Sequence, residues 1–268
     1  MSIRSLCLLL AAMTLLMNAP VLLAQTPLRQ AQGGEQSRTA ARPDLSGIWT
    51  RTGPRPNENF GKETPPLQAW AKAIYDENRR GLAPAEGGLD EMDPTIYCLP
   101  HGMPRAYASN QPFEILQTPS QVYVVFEATQ MLLRRIYLDG RKLPENYPAT
   151  FMGFSTGRYD GDTLVVETTG LNDLTWLDTS GTPHSDALRV TERIRRTGQN
   201  TMEIAFRFDD PKAFTRPWGD TKTYQLRPDW QLMENTGYCE DRFRYNFAKK
   251  IFKGTVDWQS PEQAAGGR

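Results

Sequence analysis

The sequence predicts a mainly β protein: an antiparallel meander closing into a lipocalin-like β-barrel with one helix, a β-sandwich being the alternative. Three observations carry this. Strand-like runs, nine or ten of them, follow one another at hairpin spacing, and closing such a meander removes its edges. Tyr159-Asp160-Gly161-Asp162 joins two alternating runs and is the clearest hairpin signal in the chain. Only residues 66–80 carry convincing helical spacing.

Residues 1–24 read as a signal peptide. Arg4 supplies the positive region, the run from Leu6 to Met17 is nearly all apolar, and small residues end at Ala24. That run is too short for a membrane span, and no later stretch reaches eighteen apolar residues. Cys7 lacks a Leu-Ala-Gly-Cys type setting, which argues against a lipoprotein anchor. The expected location is therefore periplasmic or secreted. Without Arg4 the chain has 30 basic and 31 acidic residues, a net −1 that gives no support for a nucleic-acid or anionic-membrane partner. Two cysteines remain, Cys98 and Cys239, and in an oxidising compartment a disulfide is the default expectation. It would close a long loop and contribute on the order of a few kcal/mol. Two separate buried thiols are the alternative.

In chain order, residues 25–43 are polar and aperiodic, a disordered lead-in to a barrel domain over 44–253. Asp44 to Thr50 opens that domain as a strand, and its Gly47-x-Trp49 resembles the lipocalin signature in which the Trp plugs the barrel floor. A core Trp on any first strand explains it equally well. Residues 54–63 form a loop. The helix over Pro66–Arg80 places Leu67, Trp70 and Ile74 on one face and has Gly81 past its end. Three prolines between Pro94 and Arg105 deny that stretch a sheet ladder.

Strands follow at Phe113–Thr118, Gln121–Glu127 and Leu132–Leu138, then the hairpin Met152–Arg158 with Thr163–Thr169. Beyond a polar loop come Ala187–Thr197 and Met202–Phe208, with Asp209-Asp210-Pro211 as a break. Lys222–Leu226 and Gln231–Tyr238 complete the meander, and 254–268 is a flexible tail.

Alternation makes one residue odd. Leu188, Val190 and Ile194 share a face with Glu192, and a carboxylate among apolar neighbours must be paired, hydrogen-bonded or protonated. An arginine such as Arg135 or Arg158 would pair it; otherwise Glu192 is a cavity acid or base. Just before that strand stand His184 and Asp186, a spacing that lets the carboxylate orient the imidazole. Asn172, Asp173, Trp176 and Asp178 crowd the same loop, and with Arg158, Tyr159 and Ser185 they suit a cavity rim. Local backbone capping is the plain structural reading of the same residues. Phe206 and Phe208 face inward and would line a lumen.

Other chemistries are set aside. With only His101 and His184, a three-histidine zinc site is impossible, and neither Cys-x-x-Cys nor His-Glu-x-x-His occurs. No dinucleotide or P-loop fingerprint exists, so no metal or cofactor is expected. Gly153-Phe154-Ser155-Thr156-Gly157 spells a nucleophile elbow, but in a hairpin rather than a strand-to-helix turn; its glycines suit close sheet packing.

Gly153-x-Ser155-x-Gly157-Arg158-Tyr159-Asp160-Gly161-Asp162-Thr163-Leu164-Val165-Val166-Glu167-Thr168, followed by Trp176-Leu177-Asp178 and Pro183-His184-Ser185-Asp186, is similar to a large family of exported bacterial β-rich proteins, mainly uncharacterised. Asp44 to Trp49 and Asp210 to Trp218 resemble it too, while Tyr159 stands where that family often has Trp. The resemblance covers most of the exported chain and implies no established reaction.

The function expected is the binding of a small, largely apolar organic molecule in the barrel lumen. Cofactor-independent acid–base chemistry there (lyase, isomerase or hydrolase) would use His184 as acid or base, Asp186 to orient it, and Glu192 or Tyr159 as the second group. The alternative is a non-catalytic lipocalin-like carrier. Oligomeric state is not legible.

Overall fold

Alternating side chains build nine strands that close on themselves in sequence order. The computed structural model describes residues 42–52, 60–61, 64–81, 93–127 and 132–233; the expected signal peptide, nearly all of the expected lead-in, Cys239 and the expected tail lie outside them. The strands are β1 (Gly47–Arg51), β2 (Phe113–Gln117), β3 (Gln121–Phe126), β4 (Leu132–Tyr137), β5 (Phe154–Asp160), β6 (Thr163–Thr169), β7 (Arg189–Gly198), β8 (Thr201–Asp209) and β9 (Trp218–Leu226). β9 pairs back onto β1, so the barrel has no free edge. Residues 231–233 are not in a strand, and the rest of the run expected at Gln231–Tyr238 lies outside the described residues.

One joint departs from an up-and-down meander. β4 and β5 are parallel, with Ile136 opposite Ser155 and Tyr137 opposite Thr156. Parallel neighbours need a long return connection, and residues 138–153 supply it. All other neighbours are antiparallel, which fixes two unlike ends. The β2–β3, β5–β6 and β7–β8 turns lie at one end. The long connections 52–112, 170–188 and 210–217 all open at the other.

The inward set is the one the alternation gives: Val122, Val124 and Phe126 on β3, Met202, Ile204, Phe206 and Phe208 on β8, all buried. Trp49 is fully buried; its indole N–H donates to Leu45 O at 2.9 Å and the Arg196 guanidinium lies 5.7 Å from its ring centroid. The stretch expected to be irregular holds a 3-10 turn at Pro94–Tyr97 and a buried helical turn, α2 (Arg105–Ala108). α2 drives Tyr107 among Phe113, Phe126, Phe206 and Tyr224, ring centroids 4.9–6.4 Å apart. Phe60 meets Phe206 and Phe208, each at 4.9 Å. The barrel interior at the long-loop end is thus filled by the protein's own rings.

Helix α1 (Ala69–Gly81) lies close to its expected place but presents a different face. Ala71, Tyr75 and Asn78 are buried, while Trp70 and Ile74 are 46% and 47% exposed. Spacing by apolar letters picked Trp70 and Ile74 because Asn78 and the small Ala71 do not look like core. Among the described residues, no helix is long and apolar enough to cross a membrane.

Candidate functional site

The 170–188 connection is held by two buried aspartates, neither of which is free for chemistry. Asp178 accepts from the Phe60 and Ser180 amides and from Ser180 Oγ. Asp210, in the break after β8, accepts from Ser185 N at 2.7 Å and Ser185 Oγ at 2.8 Å, and from the Lys212 and Ala213 amides. Asp210 was not among the expected site residues; the Asp-Asp-Pro break marked its position but not its partners. Gly181 has φ +83, and a Cβ there would stand 2.7 Å from Asn78 Cβ, so only glycine lets α1 approach this loop.

That anchoring buries His184, which is 3% exposed. Nδ1 lies 3.2 Å from Ser185 O. A carbonyl only accepts, so this contact places the proton on Nδ1 and leaves Nε2 with its lone pair. Nε2 is buried with no hydrogen-bond partner among the described residues. Burial holds the imidazole below its ordinary pKa; the Ser185 carbonyl and the Asp210 and Asp173 carboxylates oppose this without cancelling it. His184 is therefore a neutral base at neutral pH.

His184 lines a recess of about 170 Å³ between α1, the 3-10 turn and this loop. Ile74, Pro94, Leu174, Trp176 and Pro183 give it apolar walls, and Asn78, Asp173 and Thr175 give polar ones. Behind it, Arg105 is clamped to Asp93 (Nη1 to Oδ1 2.8 Å) and its guanidinium lies 5.6 Å from the Trp176 ring centroid. Burial alone would raise the Asp93 carboxyl, but Arg105 holds it below its usual value. The other histidine is close by in the chain's contacts, since Thr175 Oγ1 donates to His101 O at 3.0 Å. Burial and the Arg105 charge push the His101 imidazole down to about 4.

Of the residues singled out by sequence, the recess gathers His184, Asp173 and Trp176. The others go elsewhere. Asp186 is exposed and paired with Lys212 at 2.6 Å, so it does not orient the imidazole; the Ser185 carbonyl does. Glu192 is fully buried and locked to Arg134 (2.7 and 2.9 Å), not to Arg135 or Arg158. Arg134 spends all five of its N–H donors inside the barrel, on Glu192 twice, Ser155, Thr168 and Tyr107. Tyr159 accepts from Gln117 at 2.9 Å, Arg158 is exposed, and Asn172 caps the Leu174 amide. Phe206 and Phe208 belong to the packed core. Ser155 is bonded to Thr168 and Arg134, and a Cβ at Gly153 (φ +63) would meet Thr169 O at 2.7 Å, so the elbow-like letters serve packing. Among the described residues, no group of three His, Cys, Asp or Glu is arranged to hold a metal ion.

Models of known protein families give no match to this chain, and neither do curated proteins.

Proposed function

We propose that this chain is an exported member of the bacterial β-rich family its motifs resemble, and that it binds a small organic molecule. The site is the His184 recess at the long-loop end rather than the lumen, with the barrel as its rigid support. One observation carries this: His184, whose buried Nε2 has no hydrogen-bond partner among the described residues, lines a recess built from three different segments. Leaving a buried polar atom unpaired costs roughly 1–3 kcal/mol, a cost a bound donor would remove. The recess is small for a drug-sized ligand, which points to a ligand of about one ring.

Ligand-observed NMR with a library of small organic fragments tests this. Binders to the wild type that are lost in His184→Ala are expected. A library giving no His184-dependent binder would overturn the reading.

A second use of the recess is supported by the lowered pKa of His184. As a neutral base, Nε2 takes a proton from a bound substrate, and the positive charge that develops is favoured by Asp173 and Asp210. Asp173 is then the second group able to move a proton. Cofactor-independent lyase, isomerase or hydrolase chemistry fits this equipment; carriage without turnover needs only the first step. Once a substrate is found, kcat/KM should rise with pH through a single ionisation below the ordinary imidazole value. A kcat/KM that shows no fall on acidification over the whole pH range in which the protein stays folded would rule out His184 as the base.

A further inference from the structure

The polar wall of the recess is rich in acceptors. His184 Nε2 carries a lone pair, its proton being on Nδ1. The Thr175 hydroxyl donates its hydrogen bond to His101 O, which leaves the oxygen lone pairs as acceptors. Asn78 spends one amide N–H on Gly181 O at 2.8 Å and keeps its carbonyl oxygen together with its second N–H. Asp173 is exposed and, among the described residues, has no salt-bridge partner and is the only charged residue of the lining. Among the described residues neither lysine nor arginine lines it: Arg105 behind Trp176 is neutralised by Asp93, and Lys212 by Asp186. Asp210 adds a second carboxylate on the His184 side. A ligand that satisfies this wall must bring several donors and, by Coulomb's law, a positive charge.

We propose that the recess selects small organic ammonium ions: a protonated primary amine on a short apolar body of about one ring. The ammonium carries three N–H donors, which match the lone pair of Nε2, the Asp173 carboxylate and the Thr175 oxygen. The hydrocarbon body lies against Ile74, Leu174 and Trp176, where apolar burial supplies the rest of the affinity. An alcohol of the same shape brings one donor and no charge. A carboxylate brings neither and faces Asp173.

This inference rests on the recess being a ligand site, and the test keeps the two apart. Binding of benzylamine, benzyl alcohol and benzoate to the full chain is measured by calorimetry and ligand-observed NMR at pH 7.5. Benzylamine is expected to bind at least 10-fold more tightly than benzyl alcohol. Asp173→Asn, a surface change that leaves the fold intact by circular dichroism, should abolish that preference while sparing benzyl alcohol. His184→Ala should weaken both. Raising the salt should weaken the amine only. His184-dependent binding in which benzyl alcohol or benzoate equals or exceeds benzylamine would overturn the ammonium assignment and keep the recess as a site. Absence of His184-dependent binding for all three would overturn both.

Discussion

At the scale of single residues, the buried charges separate structure from function. Alternation marks Glu192 as anomalous, but the partners expected for it, Arg135 or Arg158, are not the one it has; Arg134 shares one face of β4 with Leu132 and Ile136, a signal of the same kind that went unused. What alternation lacks is the third dimension that brings β4 and β7 together across the barrel. Burial works against the charge on Arg134, but Glu192 raises its pKa above the usual value, so the guanidinium stays charged. Glu192→Met, leaving that charge alone in the interior, should cost about 3–5 kcal/mol by urea unfolding. Arg134→Met with Glu192→Leu should recover most of the loss; a double variant as unstable as the single one would contradict this account. His101 and His184 give the opposite sign. Both are held below the ordinary imidazole value, so the unfolded chain binds protons that the folded one refuses. Stability should be full above about pH 6.5 and fall as the pH drops toward 4, where His101 itself protonates. Urea midpoints between pH 8 and 4 for wild type and for His101→Phe check this, the variant being expected to lose part of the slope.

At the scale of elements, strands were the most legible because period-two alternation and turn letters agree. The β5–β6 hairpin and the inward face of β8 follow directly from it. Helices were less so. α1 was placed, but its buried face runs through Ala71, Tyr75 and Asn78, residues whose size or polarity conceals their role. α2 is a single turn inside a proline-rich stretch, too short to leave a periodic signal, yet it supplies the ring that fills the barrel. Tyr107→Ala should cost about 3–5 kcal/mol through the cavity it leaves and the lost hydroxyl contact to Arg134. Gly219 is another hidden constraint: a Cβ there would collide with Phe206 O across the β8–β9 ladder. Gly219→Val should therefore lower the melting temperature by several degrees; an unchanged value would show that the ladder can shift.

At the scale of the whole molecule, the mouth of the recess was only half legible. His184, Asp173 and Trp176 stand in the loop, but α1 and the 3-10 turn reach them through contacts between segments far apart in sequence, as Asn78 does with Gly181. The disulfide expected between Cys98 and Cys239 involves a residue outside those described, and it remains a proposal. Mass spectrometry of the protein purified without reductant, before and after reduction, should show a two-dalton difference; equal masses would favour free thiols.

A hoop parts at its thinnest join, and here that join is β4–β5, only two residue pairs long. The Arg134 guanidinium sits on its inner side, gripping Ser155, Thr168 and Glu192 on the three strands beyond. It acts as a rivet through the seam, so amides of Ile136 to Tyr137 and of Ser155 to Thr156 should exchange with deuterium earliest of the ladder, and sooner still once Glu192 is neutralised.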